Sequence, residues 1–195
     1  KRTMPWIALG IIMWNYISGY IEESSTLFID GRILNIKIAP LKLIMINIFK
    51  HFIILFHNSV VIVAIIIFFD LKITANYFYL IFSFIIFFIN SISFGILFGF
   101  LCCRFRDFIL IIRNAIYLIF LMTPIFWMPE VLKGNRMYLA DFNIVYQIIQ
   151  SFRDPILGNP LTNYTITYLS IFTLVTAILS IIIYKKYHKR IVFWI

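Results

Sequence analysis

The stretch GILFGFLCCRFRDFILIIR, residues 95–113, decides the fold. Apolar sequence runs uncharged to Cys103, breaks into Arg104, Arg106 and Asp107, and resumes before Arg113. Two apolar segments joined by so short a basic break read as a hairpin between membrane spans. Lys and Arg close to span ends collect on the cytoplasmic side, so this turn is expected inside and directs every other segment. Gly95 and Gly99 stand at the small-xxx-small spacing that permits close helix approach. Cys102 and Cys103, the only cysteines, have no second pair at metal-ligand spacing and read as small buried residues.

Composition agrees with the hairpin. The 195 residues are 63% hydrophobic with a mean hydropathy of +0.98, more apolar surface than a soluble core of this length hides. The expectation is an all-α polytopic bundle, a single transmembrane domain over residues 1–195. The net charge of +9 falls in short loops and at the C-terminus rather than on one polar face. That pattern fits lipid headgroups and cytosolic partners, not nucleic acid.

Five spans are expected, at about 5–21, 43–69, 77–103, 109–127 and 164–184. Lys1 and Arg2 before an apolar run imitate a secretory signal, but Pro5 and Trp6 open the run and no small-residue cleavage site follows. The chain does not begin with Met and is expected to continue upstream. After the first span, Glu22-Glu23-Ser24-Ser25-Thr26 reads as the exit into polar sequence. Residues 27–42 alternate apolar side chains with charges and suit a short interfacial helix, either a plain linker or a docking helix for a cytosolic partner.

The second span carries Asn47, Lys50, His51, His57 and Asn58. Lys50 and His51 are near enough to its cytosolic end to snorkel outward. His57 and Asn58 are deeper and are expected, with Asn90 of the third span, to make interhelical hydrogen bonds; the alternative for His57 and Asn58 is a place on a substrate pathway. The six-residue spacing of His51 and His57 does not align them for a metal.

Thr123-Pro124 is expected to kink or end the fourth span. Between the last two spans, Asn143 is a candidate cap for a short helix whose apolar face is Ile144, Val145, Ile148, Ile149 and Phe152, closed by Asp154-Pro155 and Gly158-Asn159-Pro160. Such a helix is too polar to span and too apolar for a free loop, so a hairpin dipping back toward the bilayer is expected. Inner segments hold about ten Lys and Arg, against about six outside, which puts the first residue outside and the C-terminus inside.

The order of GIIMWN (10–15), GRILNIKIAPL (31–41), HN (57–58), RFRD (104–107), TPIFW (123–127), NIVYQIIQSFR (143–153) and LGNP (157–160) resembles the permease subunit of ABC-2 type transporters. Within them it is similar to the branch exporting O-antigen and other surface polysaccharides. The resemblance covers essentially the whole chain, with Ile144 standing where the family often has proline. It implies about sixty further N-terminal residues, and hence six spans in all.

The resemblance further implies a homodimer in the bacterial inner membrane, working with two cytosolic ATP-binding subunits that carry ATP and Mg. No cofactor is expected on this chain, which lacks Gly-x-x-x-x-Gly-Lys-Ser/Thr. The expected role is that of a non-enzymatic transporter subunit moving a lipid-linked polysaccharide such as O-antigen, capsule or teichoic acid. Asp30, Arg32, Asn35, Lys37 and Pro40 would form the coupling helix that docks on the ATPase. Arg104, Arg106 and Arg113 are candidates for the lipid diphosphate, or serve topology and headgroup contact alone. Phe126, Trp127, Tyr138, Phe142 and Tyr146 are candidates for an outer gate or glycan contact, or are interface anchors. An ion-coupled carrier and a membrane-embedded glycan-modifying enzyme are the alternatives, disfavoured because no Asp or Glu lies mid-span and the acids are scattered.

Overall fold

The computed structural model describes residues 3–29, 39–72, 74–127 and 140–194. In chain order the helices are α1 (Thr3–Thr26), α2 (Pro40–Phe68), α3 (Tyr79–Arg104), α4 (Phe108–Met122), α5 (Ile144–Ile156) and α6 (Asn163–Tyr187). Single 3-10 turns occupy Ala75–Phe78 and Ile191–Phe193, and the described residues contain no strand. The protein is all-helical, as its apolar runs require: a chain in lipid must satisfy its backbone internally.

Three helices are long and apolar enough to cross a membrane, Pro40–Phe68, Ala75–Arg104 and Asn163–Tyr187. Two expected boundaries need correction. The fourth span, expected to reach residue 127, stops at Met122 and leaves an apolar helix of 15 residues. At about 1.5 Å per residue it falls short of the ~30 Å hydrocarbon layer. Thr123 is extended, as a residue before proline must be, and its Oγ1 donates to the Ile119 carbonyl within the last turn.

The first helix runs past its expected end through Glu22-Glu23-Ser24-Ser25 to Thr26. Neighbours hold that last turn: Ser24 is buried and its Oγ accepts from Asn47 Nδ2 at 3.1 Å, while Glu23 meets Lys50 of α2. The hydroxyls of Ser25 and Thr26 donate to the Glu22 and Glu23 carbonyls. Long enough but less apolar than the three spans, α1 sits where α2, α3, α4 and α5 all pack against it. Its environment is protein, and Leu9, Met13, Tyr16, Ile17 and Tyr20 are buried there.

Paired contacts give the directions. Tyr16 hydrogen-bonds Ser91 and Phe28 meets Phe100, so α1 and α3 run parallel; Asn90 meets Thr173 and Phe100 meets Tyr184, so α3 and α6 do too. Lys50 at Glu23 and Arg113 at Glu22 make α2 and α4 antiparallel to α1. The turn at residues 104–113 and the basic stretch 185–190 therefore share one end of the bundle. The short α5 packs at the opposite end against α1, α3, α6 and the 3-10 turn at Ala75–Phe78.

At the expected small-residue pair, the helix neighbour is a side chain rather than a bare backbone. A Cβ at Gly95 would meet Tyr20 Oη and Ile44, and one at Gly99 would meet the Phe28 ring. Both cysteines are free and buried beside them.

Candidate functional site

The most unusual charge lies in α5. Asn143 caps this helix as expected, its Oδ1 accepting from the Val145 and Tyr146 amides at 3.0 and 3.2 Å. Its Nδ2 donates to Thr123 Oγ1 at 3.0 Å, tying the helix start to the end of α4. Gln147 spans the next gap, donating to the Asp141 carbonyl and accepting from Thr165 Oγ1 of α6. Ser83 of α3 donates to the Ser151 carbonyl at 2.7 Å. At the C-terminus Gly158, at φ 84°, turns the chain, and its carbonyl accepts from Asn76 Nδ2.

Held in this frame, Arg153 is completely buried. Its guanidinium carbon lies 3.8 Å from the centre of the Trp6 ring and its Nη1 donates to the Pro124 carbonyl at 3.3 Å. A Cβ at Gly10 would collide with its Nη2, so a side chain at that point requires the guanidinium to shift. Within the described residues Nε and Nη2 have no hydrogen-bond partner. Burial lowers the Arg153 pKa to about 10, partly opposed by Tyr146 and Asp154. Burial also raises the Asp154 carboxyl to about 6, while a hydrogen bond from Gln150 Nε2 and the Arg153 charge pull it down. The sequence signal for a buried Arg153 is the polar series Gln147, Gln150, Arg153 and Asp154 inside an otherwise apolar helix.

Of the residues expected to pack by polar contacts within the membrane, Asn90 does so. It donates to Thr173 Oγ1 at 2.6 Å and accepts from Thr176 Oγ1 at 3.1 Å, joining α3 to α6. His57 and Asn58 do not: His57 is exposed on the outer face of α2, Asn58 is half-buried, and neither reaches another described helix. The histidine inside is His51, expected to snorkel outward but buried against Tyr16 and Tyr20. Its ring Nδ1 lies 3.0 Å from the Asn47 carbonyl and its Nε2 3.7 Å from Glu23. Because apolar residues surround α2 on all sides, sequence alone carried no cue to which face turns inward.

The basic end holds most of the other charged side chains among the described residues. Arg113 pairs with Glu22 at 3.0 Å and Lys50 with Glu23 at 2.7 Å, pairs that tie α4 and α2 to the last turn of α1. Arg104 is exposed at the end of α3, its guanidinium over the rings of Trp194 and Phe105. Arg106 is exposed in the turn between α3 and α4. The three arginines thus share an end, with Arg113 already engaged by a carboxylate.

Asp30, Arg32, Asn35 and Lys37 lie outside the described residues, as does Tyr138; Pro40 opens α2 at its first turn. Among the other outer aromatics, Phe126 and Phe142 are exposed and Trp127 is half-buried. Tyr146 is buried within α5. Among the described residues no three His, Cys, Asp or Glu side chains gather to hold a metal.

No protein-family model matches this chain, and no curated protein matches it.

Proposed function

We propose that this chain is the membrane-spanning permease subunit of an ATP-driven exporter that moves a lipid-linked surface polysaccharide across the bacterial inner membrane. The observation that supports it is α5, a helix of 13 residues between α4 and α6 that returns into the bundle without crossing it. Backbone at membrane depth that does not span is tolerated where protein covers it, and here eleven of its residues are buried. A protein-shielded, half-depth helix pair at the outer side is what the resemblance leads one to expect at the exit of a glycan path.

In this reading α1 and the shorter α4 also lie in the bilayer with the three spans, and the C-terminus is cytosolic. Two copies form the path at their seam, and ATP binding by two separate subunits drives it open. A ligand shifts such a two-state element only through different affinities for its states, so the ATPase must grip the permease through a segment that moves. The resemblance gives that docking role to residues 30–40, in which Arg32 and Lys37 carry the positive charge. The glycan passes chemically unchanged.

The test is purification of the full-length permease from its native membrane, with the wild type beside Arg32→Glu/Lys37→Glu. A stoichiometric ATPase that accompanies the wild type and is weakened by charge reversal is the expected result. A permease that purifies alone while glycan export continues in cells overturns the proposal and favours an ion-coupled carrier.

A further inference from the structure

The groove where the basic ends of α3 and α6 meet has the form of a lipid seat. It encloses about 490 Å³ and is lined by Phe94, Leu97, Phe98 and Leu101 of α3, with Ile183 and Tyr187 of α6. The α3 positions follow one helical stripe, and the next turn of the same stripe carries Arg104. From Phe94 to Arg104 the stripe rises about 15 Å, half of the ~30 Å hydrocarbon thickness, so the groove is one leaflet deep.

Its charged end is arranged for an anion. The Arg104 guanidinium lies 5.1 Å from the centre of the Trp194 ring and 5.4 Å from that of Phe105. Two aromatic rings thus hold the exposed guanidinium at the end of the groove, and a guanidinium takes phosphate oxygens in a fork. No acidic side chain among the described residues lines the groove, and Lys186 stands beside it with its ammonium 5.4 Å from the Tyr187 ring centre. The 3-10 turn Ile191–Phe193 brings Trp194 onto Tyr187 and closes the rim from the C-terminal side.

We propose that this groove holds one anionic phospholipid, its phosphate on the edge of Arg104 and one acyl chain along the α3 stripe. The lipid braces the seam between α3 and α6 at the basic end. The Arg104 guanidinium with Lys186 beside it matches one phosphate. The inference goes beyond the export reading and needs only a bilayer around α3 and α6.

Trp194 supplies the readout. The full-length protein is reconstituted in phosphatidylcholine vesicles with increasing fractions of phosphatidylglycerol brominated in the upper part of one chain. The Trp194 contribution is the emission lost in Trp194→Phe. Quenching is expected to reach half its maximum at about a five-fold lower fraction than with brominated phosphatidylcholine, one basic contact being worth about that factor. Arg104→Gln removes the preference, and Arg104→Lys, which keeps charge without the fork, retains part of it. Equal quenching by the two lipids, or a preference untouched in folded Arg104→Gln or Arg104→Lys, overturns the proposal. Displacement of the brominated lipid by a stoichiometric polyprenyl diphosphate also overturns it, by assigning the groove to transported lipid, and leaves the export reading standing.

Discussion

Arg153 carries a full charge into a place where solvent does not reach, and its surroundings show how that is tolerated. The Trp6 ring supplies a π face, the Pro124 carbonyl accepts one N–H, and Gly10 leaves the gap through which α1 passes. Filling that gap has a definite consequence. Gly10→Ala is expected to destabilise the protein by about 1–3 kcal/mol through overpacking against the guanidinium. Arg153→Met, which keeps a flexible chain and drops the rigid fork, is expected to absorb the added methyl. The double variant then loses less than the sum of the single changes, a coupling of about 0.5–3 kcal/mol. Thermal unfolding of the four proteins in one detergent checks this; strict additivity would show that Gly10 and Arg153 do not touch.

At the scale of elements, α2, α3 and α6 were legible because uninterrupted apolar runs of bilayer length have few other uses. The Asn143 cap was legible too, because an amide before an apolar helical pattern satisfies orphan N–H groups in one way. What sequence did not reveal depends on neighbours. The last turn of α1 is helical because Asn47 and Lys50 of another helix hold Ser24 and Glu23. The inward turn of His51 and outward turn of His57 follow from how α2 packs on α1, which its even apolarity does not encode. The short α5 has a pH signature of its own. Its Asp154 carboxyl is held near 6 against an ordinary 3.8, so the folded protein favours the protonated acid. The stabilisation from this group is complete below about pH 4 and is lost as pH rises through about 6. It amounts to something on the order of 2 kcal/mol. Asp154→Asn keeps the acceptor for Gln150 and removes the titration. The difference between wild-type and variant unfolding temperatures is expected to swing toward the variant between pH 4 and 7 and to be flat above. A flat difference throughout would place the carboxylate in a polar, solvated setting.

For the molecule as a whole, the directions of the helices tie the ends of the chain to its charges. The turn carrying Arg104 and Arg106 and the tail carrying Lys185, Lys186, Lys189 and Arg190 lie at one end, and α5 with the Thr123-Pro124 turn at the other. Phe142 belongs to that second end, since its carbonyl accepts from Tyr168 near the start of α6 at 2.9 Å. Over its 25 residues α6 covers about 37 Å at ~1.5 Å per residue, enough to separate Phe142 and Lys189 by a full bilayer. The excess of basic residues leads one to expect that end on the cytosolic side. Phe142→Cys and Lys189→Cys, both at exposed positions, convert this into a labelling experiment with a membrane-impermeant maleimide. The native Cys102 and Cys103 are buried and contribute little background. Intact cells are expected to label Phe142→Cys and spare Lys189→Cys, and inside-out vesicles to do the reverse. Labelling of both positions from one side would mean that α6 does not cross, and labelling with the opposite polarity would mean that the basic end faces outward; either result removes the frame in which a cytosolic ATPase could reach this chain.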